Sequence, residues 1–286
     1  MDCRIWLRLT IALLSLTCSP PLYACTLWSA TGERVKDGGS LIAKNRDWLP
    51  DHSQQLRLIS PPDGLKYIGI FAVGGNAPGL KGGINAQGLV VVSATAGSIP
   101  SHERKTMRRT RQLLNKILSE CGSVDEALKK GEWFIGPQHL LLADKHKTAV
   151  IEIAPNAQYS VKVMQNGVLY HTNHYLDDNL LKYNEKIGKS SLIRRQRIAT
   201  LLNSKSRSFT LEDFIAFSND QNDGVNNSLW RIGKSKTGTR TLLSWIAVLP
   251  RNESPRVYVK MANPGEREKT YSFHTADIFN GKTELP

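Results

Sequence analysis

Cys25 stands at the end of a segment that has the layout of a cleaved leader. Residues 1–24 contain a short basic start, an apolar run over 9–18, two prolines and a small residue, Ala24, at the boundary. A cysteine that opens a mature chain combines a strongly nucleophilic thiol with an α-amino group whose pKa, near ~8, suits a general base. The sequence therefore predicts covalent catalysis by Cys25, with residues 1–24 removed as a signal peptide during export to the periplasm or the exterior.

The same cysteine has a second interpretation. Leu22 lies three positions before Cys25 and Ala24 lies directly before it, an arrangement typical of a bacterial lipoprotein signal, although Tyr23 is larger than the residue usual at its position. Lipidation consumes the thiol and acylates the amine, so a lipoprotein could not use Cys25 as a nucleophile. Residues 22–25 alone leave both alternatives open.

Cys121 and a histidine pair are the other residues that could do chemistry. Cys121 follows an apolar helical pattern, a context typical of a buried or capping thiol, and a chain of this length needs no disulfide to fold. His171 and His174 precede two aspartates, but their spacing is not the i, i+4 arrangement of helical zinc sites. The sequence therefore predicts structural or pocket-lining histidines, no metal and no cofactor.

The charge of the chain favours an anionic partner. The 286 residues carry 38 Lys and Arg against 25 Asp and Glu, a formal net charge of +13, and +12 remains once residues 1–24 are removed. The basic cluster at 104–111 has no interleaved aromatic residues and no nucleic-acid motif, so we expect a solvated helix face there and no nucleic-acid partner. After residue 24 no apolar stretch reaches the length of a membrane span.

The 262 residues that follow the leader alternate between strand-like and helical patterns, with no repeat or linker that would divide them. Apolar runs bounded by turn residues predict strands at 26–30, 40–44, 67–71, 88–94, 139–143, 149–153, 159–164, 168–172, 242–248 and 256–260. Apolar spacing and a capping box at 123–126 predict helices at 107–120, from 123, and at 190–202 and 211–217. This order predicts two packed sheets covered by helices, in a single domain over 25–286.

Several short segments occur in an order and at a spacing known from one group of enzymes. They lie at residues 41–48, 85–89, 134–136, 150–152, 171–174 and 190–194, and the first contains Asn45-Arg46-Asp47. Together with Cys25 they resemble the choloylglycine hydrolase, penicillin acylase and acyl-CoA:6-aminopenicillanic acid acyl-transferase families of the N-terminal-nucleophile (Ntn) superfamily. The resemblance favours the nucleophile over the lipid anchor. It implies an α+β fold, a four-layered αββα sandwich of two antiparallel sheets covered by helices.

The resemblance also implies roles for individual residues. Asp47 would accept a hydrogen bond from the Cys25 α-amino group and orient it. The side-chain amide of Asn173 and a backbone N–H near Thr95 would stabilise the oxyanion. Arg194 would lie beside the nucleophile, favour its thiolate and hold the carboxylates of the site.

Lys44 and Thr95 depart from the pattern of the bile-salt hydrolases. Lys44 stands where those enzymes have an arginine, and it supplies a charge without the bidentate guanidinium. Arg46 shares a strand face with Lys44 if the strand continues that far, and would then take over this function. Thr95 stands at an oxyanion position where those families often have Asn or Tyr. The replacement by Thr is compatible with an oxyanion donor from the backbone N–H, but not with one from the side chain. We expect these three residues to bind substrate, and the departures speak against bile-salt specificity.

The predicted activity is hydrolysis of a linear amide bond through a thioester on Cys25. Conjugated bile salts, penicillin V, N-acyl amino acids and acyl-homoserine lactones have the required chemistry, and the net charge favours anionic small molecules. Transfer of the acyl group to a second amine differs only in the last step, so the acyl-transferase alternative stays open, as does a homo-oligomer. Outside this class, the alternatives are a non-catalytic periplasmic lipoprotein lipidated at Cys25 and a basic protein that binds anionic surfaces.

Overall fold

The central sheet of the protein contains the strand that carries Cys25. A computed structural model describes residues 24–204 and 208–285, so the predicted signal peptide lies, apart from Ala24, outside the described residues. The strands of this sheet are β1 (Ala24–Thr31), β2 (Ser40–Trp48), β10 (Gly167–His171), β11 (Arg240–Leu249), β12 (Arg256–Met261) and β13 (Lys269–His274). They pair antiparallel in the order β10-β1-β2-β11-β12-β13.

A second antiparallel sheet packs against the first. Its strands are β3 (Ser53–Ile59), β4 (Tyr67–Val73), β5 (Gly79–Asn85), β6 (Val90–Thr95), β7 (Gln138–Ala143), β8 (Thr148–Ile153) and β9 (Tyr159–Met164). They follow one another in chain order across the sheet. Most neighbours in this meander are joined by short connections, whereas residues 96–137, between β6 and β7, contain three α-helices.

Helices cover the outer faces of both sheets. They are α1 (Ser101–Thr106), α2 (Leu113–Glu120), α3 (Val124–Leu128), α4 (Lys189–Asn203), α5 (Leu211–Ser218) and α6 (Thr275–Phe279). The apolar face of α2 packs on the seven-stranded sheet, and α4 and α5 pack on β1, β2, β10 and β11. The layers are therefore helix, sheet, sheet and helix, which confirms the predicted αββα sandwich.

The inner core between the sheets accounts for the sequence of the central strands. All residues of β1 and β2 are buried, because one face packs on the inner core and the other on helices. A strand that is covered on both sides has a continuous run of buried residues, rather than an alternation of buried apolar and exposed polar residues. None of the helices among residues 24–204 and 208–285 has the length and apolar character needed to cross a membrane.

The structure corrects the predicted elements in three respects. The helix expected at 107–120 begins only at Leu113, after Gln112 with a left-handed φ of 52°, because the apolar side chains that contact the sheet start there. The strands β3, β5 and β13 were not predicted, since the first and last are polar edge strands and β5 is rich in glycine. Where β2 was expected to end at Lys44, it continues to Trp48.

Candidate active site

Cys25 lies near the beginning of β1, buried with 3% of its surface exposed. The register of β1 and β2 places it directly opposite Arg46, and Leu27 opposite Lys44, so these four residues share the face of the sheet that meets the inner core and a cavity. Ala24 is also part of β1, where it pairs with Asp47. Cys25 and Cys121 are both free cysteines.

The main chain of Cys25 is held on both sides by side chains. Its N–H donates to Oδ1 of Asn173 (3.0 Å), and its carbonyl oxygen accepts from a terminal nitrogen of Arg194 (2.7 Å). The same guanidinium donates to Oγ1 of Thr26 (2.6 Å) and to Oδ1 of Asn173 (3.0 Å). The position of the nucleophile candidate is therefore fixed by two residues from outside its own strand.

Asn173 follows the end of β10, and its amide is oriented by three contacts. Oδ1 accepts from both Cys25 and Arg194, while Nδ2 donates to the carbonyl oxygen of Thr95 (2.9 Å). The hydroxyl of Ser191, in the first turn of α4, accepts from the Asn173 backbone N–H (3.0 Å). Nδ2 carries two hydrogens, of which one is used on Thr95.

Asp47 is fully buried on the face of β2 opposite to the cavity. Its Oδ1 accepts from the hydroxyl of Thr241 (2.7 Å), and its Oδ2 lies 3.6 Å from Arg231 and 3.9 Å from Arg194. Burial raises the pKa of Asp47, and the two guanidinium groups and the Thr241 hydroxyl partly oppose this rise. The expected contact between Asp47 and the Cys25 nitrogen is not formed, because that nitrogen is here a peptide group whose one hydrogen goes to Asn173.

A cavity of about 360 Å³ opens beside Cys25 on the inner face of β1 and β2. Its lining contains six cationic side chains and, among the described residues, no carboxylate. The six are Lys44, Arg46, Lys81, Arg104, Lys105 and Arg109. Lys44 and Arg46 therefore lie on the same face, as predicted, and Thr95 also borders the cavity.

The cations closest to Cys25 are anchored through neutral groups. Lys44 donates to the carbonyl oxygens of Ser93 (2.6 Å) and Lys81 (2.8 Å), and burial, with a smaller contribution from the Arg46 charge, lowers its pKa to about 8. Burial and the charges of Arg46 and Lys44 lower the pKa of Lys81 to about 7. Arg46 donates to Gln54, and burial lowers its pKa to about 10. Lys81 donates to the carbonyl oxygen of Pro78 (3.2 Å), so all three cations are anchored, and none directly contacts a carboxylate among the described residues.

Part of this lining was not predicted from the sequence. Three residues of the basic cluster border the cavity: Arg104 and Lys105 on α1, and Arg109 in the non-helical connection that follows. Lys105 and Arg109 are also exposed to solvent, so the expected solvated face forms the rim of the cavity. Lys81 was not considered, since it lies in the unpredicted strand β5. The basic cluster at 104–111 was the feature of the sequence that could have revealed this lining. A cluster of like charges is compatible with a binding site for a charged ligand as well as with a solvated surface.

The two histidines considered as metal ligands have different environments. His174 contacts Oγ of Ser191 through Nδ1 (2.9 Å), beside Asn173. His171 contacts Glu152 instead, with 2.5 Å between Nε2 and Oε1, and stacks near His139. The two residues therefore belong to separate clusters.

The layered fold and the placement of Cys25 define the class of protein: the chain has the fold of the Ntn hydrolases. The profile of the acyl-coenzyme A:6-aminopenicillanic acid acyl-transferase family matches residues 34–266, so the chain belongs to this family and the resemblance seen in the sequence is confirmed. The matched range contains Asp47, Asn173 and Arg194, and it begins after Cys25.

A solved structure with a TM-score above 0.5 shows the same architecture. A cysteine-to-alanine variant of conjugated bile acid hydrolase from Clostridium perfringens has 15% sequence identity and a TM-score of 0.51, with 87% of this chain and 97% of that chain covered. An arginine-to-leucine variant of that enzyme has the same identity and coverage and a TM-score of 0.49. Anbu from Hyphomicrobium sp. strain MC1 has 8% identity and a TM-score of 0.29, with 91% and 98% covered. No curated protein has a significant sequence match.

Proposed function

We propose that this protein is an exported amidase in which Cys25, freed by removal of residues 1–24, attacks a linear amide bond of an anionic substrate. The observation that carries this proposal is the geometry around Cys25. Its main chain is held by Asn173 and Arg194, and it borders a cavity lined by six cations. A lipid anchor at the same residue would require Cys25 to leave the buried strand β1, which speaks against the lipoprotein alternative.

In the proposed reaction the free α-amino group of Cys25 takes the proton of its own thiol. The sulfur then forms a bond to the amide carbonyl carbon, and the carbonyl oxygen becomes an oxyanion. Nδ2 of Asn173, with its second hydrogen, and a backbone N–H near Thr95 stabilise that oxyanion. The α-ammonium returns its proton to the leaving nitrogen as the C–N bond breaks, and water resolves the thioester.

Asp47 has a defined role in this scheme once the leader is removed. An α-ammonium has three hydrogens, whereas the peptide nitrogen has one and donates it to Asn173. Oδ2 of Asp47 accepts no hydrogen bond from the described residues, and Asp47 lies opposite Ala24 in the register. It can therefore accept a hydrogen from the new ammonium, and the charges of Arg194 and Arg231 favour its ionised form against the effect of burial.

The cavity supports an anionic substrate. Six cations without a carboxylate among them create a positive potential that a low-dielectric cleft concentrates, and this attracts a negatively charged ligand. N-acyl amino acids, penicillins and conjugated bile acids all carry such a group. Arg46 is the guanidinium closest in register to Cys25, so we assign to it and to Lys44 the contact with the substrate's anionic group.

Acyl transfer is the second candidate, and the description of the family favours it. The two reactions share every step up to the thioester. They are distinguished by adding an amine acceptor at increasing concentration and measuring free acid and new amide. A hydrolase produces free acid throughout, whereas an acyl-transferase shifts the product to the new amide.

The test of the proposal is a comparison of two cysteine variants of the exported protein. Mass spectrometry of the wild type is expected to show a chain that begins at Cys25 without an acyl group, and a panel of anionic amides should identify a turned-over substrate. Cys25→Ser is expected to lose roughly 10³-fold or more in kcat while remaining folded. Cys121→Ser, which removes the other described cysteine, should keep full activity.

Two results would contradict this function. One is a mature chain that begins elsewhere or carries a diacylglyceryl group at Cys25, because the reaction then has neither base nor nucleophile. The other is a Cys25→Ser variant that keeps wild-type turnover on the substrate found in the panel.

A further inference from the structure

Three buried side chains that make no hydrogen bond to Cys25 meet between the two sheets. His139 on β7 and Glu152 on β8 face each other directly in the register of the seven-stranded sheet, and His171 on β10 approaches from the other sheet. One potential ligand atom from each residue lies within 4.8 Å of the others. All three residues are at most 3% exposed.

His171 and Glu152 are held in the orientation that metal ligands have. Nδ1 of His171 contacts the carbonyl oxygen of Thr172 (3.0 Å), and because a carbonyl only accepts, Nδ1 carries the hydrogen and Nε2 points to Glu152. Glu152 accepts from the backbone N–H groups of Leu176 and Asp177. Metal-binding histidines usually donate their second ring N–H to such a carbonyl, and ligating carboxylates are similarly hydrogen-bonded.

The ion pair between His171 and Glu152 does not explain the environment of His139. It is fully buried, and neither ring nitrogen has a hydrogen-bond partner among the described residues. Its ring centroid is 4.3 Å from that of His171 and 4.9 Å from that of Tyr175, whose hydroxyl donates to the carbonyl oxygen of Ile153 instead. A buried polar ring without a partner is unfavourable. A proton between His171 and Glu152 satisfies only those two residues, whereas a metal ion satisfies all three.

We propose that His139, Glu152 and His171 bind a divalent transition-metal ion, Zn²⁺ being the best match. Two neutral imidazoles and one carboxylate form a common zinc donor set, with a fourth position for water. Tetrahedral ligands at zinc distances are about 3.4 Å apart, so Glu152 and His171 must separate by about 1 Å and His139 must approach them. A second cavity of about 360 Å³ borders Glu152 and His171 and provides a path for the ion and space for the water.

The site would connect the two sheets beside the catalytic residues. β7 and β8 belong to one sheet and β10 to the other, and Asn173 follows β10 by two residues. A metal ion there would stabilise the sandwich and restrict the position of Asn173. This proposal departs from the expectation of no metal, which rested on the pairing of His171 with His174. The partners of His171 in the fold are His139 and Glu152, from strands that the sequence could not place next to it.

The experiment measures metal binding in the full mature chain carrying Cys25→Ser, so that the thiol of the active-site candidate cannot bind the probe. This protein, freed of metal by a chelator, is titrated with Co²⁺ and Zn²⁺. We expect one ion per chain, visible Co²⁺ absorption typical of a tetrahedral site, and a rise in Tm with Zn²⁺. His139→Phe keeps an aromatic ring against His171 and Tyr175 but removes the ligand, and should weaken binding by at least about tenfold.

The control and a second variant keep the test decisive. His102→Ala removes a histidine whose side chain is 83% exposed and should bind the ion like the parent protein. Should His139→Phe fail to fold, Glu152→Gln provides the same measurement. Absence of stoichiometric binding in the parent, or undiminished binding in His139→Phe, overturns the metal site. Neither result affects the role proposed for Cys25, which is measured separately by turnover.

Discussion

On the helix-facing side of β2, Asp47 lies 3.6 Å from Arg231 and 3.9 Å from Arg194, and the three charges are buried together. On the cavity-facing side, one residue away, Arg46 and Lys44 are equally buried but contact only neutral groups. On the first side a carboxylate lies directly beside the buried guanidinium groups, whereas on the second side neither Arg46 nor Lys44 directly contacts a carboxylate. The two sides of β2 therefore differ in whether a buried cation has a carboxylate as its neighbour.

The difference indicates two functions for the two sides. A buried cation next to a carboxylate stabilises a geometry, and here that geometry is the main chain of Cys25, through Arg194. A buried cation without a carboxylate is unfavourable in the free protein and becomes favourable when an anion binds. Changes on the helix-facing side should therefore affect stability and kcat, and changes on the cavity-facing side should affect KM for charged substrates.

Asp47→Asn should have the largest effect on stability. It leaves two buried guanidinium groups without their carboxylate, and removing one partner of a buried ion pair costs roughly 3–5 kcal/mol of unfolding free energy. Urea unfolding of the wild type and variant at pH 7 measures this loss.

A matched control for Asp47→Asn is Asp220, which follows α5. Asp220 pairs with Arg197 of α4, and both side chains reach solvent, so Asp220→Asn should cost only about 1 kcal/mol or less. Equal losses in the two variants would contradict the buried ion-pair interpretation of the helix-facing side.

Asn173→Ala should reduce kcat by roughly 10²–10³-fold, because it removes one donor of the proposed oxyanion site and a contact of Cys25. KM should change little. Asn184, which holds the backbone of Tyr175 in the same loop region, is the control: Asn184→Ala should lower stability and leave kcat near the wild-type value. A loss in Asn173→Ala that appears in KM rather than kcat would assign it to substrate binding.

The sequence predicted the helix-facing side better than the cavity. Asp47, Asn173 and Arg194 belong to short motifs whose order and spacing are recognisable without a structure, and the structure brings them together near Cys25. The contact between Asp47 and the Cys25 α-amino group stays a prediction, because in a chain that contains Ala24 this nitrogen is a peptide group whose single hydrogen goes to Asn173.

The cavity was only partly predictable because its residues come from distant segments with weak patterns. Lys81 lies in a glycine-rich strand and Arg109 in a non-helical connection, neither of which hydrophobic periodicity reveals. His139 and Glu152 were not connected to His171, since pairing between strands and contact between sheets are long-range properties. Net charge indicated an anionic partner, but the location of that charge required the fold.

Lys81→Met should raise KM for an anionic amide by about tenfold and leave kcat and stability almost unchanged. One charge–charge contact in a partly buried site contributes on the order of 1–2 kcal/mol. KM for an uncharged amide should not change. Lys36→Met, which removes an exposed lysine away from the cavity lining, should leave both KM values unaffected. A larger KM for both substrates in Lys81→Met would indicate a packing effect instead.

The smallest effect we expect is a change in anion binding with pH on the cavity-facing side. Lys81 has a pKa of about 7 and Lys44 of about 8, so both are charged at pH 6 and lose their charge in turn as the pH rises to 9. The affinity of Cys25→Ser for an anionic amide should therefore fall by a few-fold to about tenfold from pH 6 to 9. Using this variant in calorimetry separates binding from ionisation of the thiol.

The control is the double variant Cys25→Ser, Lys81→Met. In this variant the decrease in affinity near pH 7 should disappear, and the decrease in affinity near pH 8 should remain. Constant affinity from pH 6 to 9 would mean that the lysines do not contact the anion, and the contrast between the two sides of β2 would then rest on Arg46 alone.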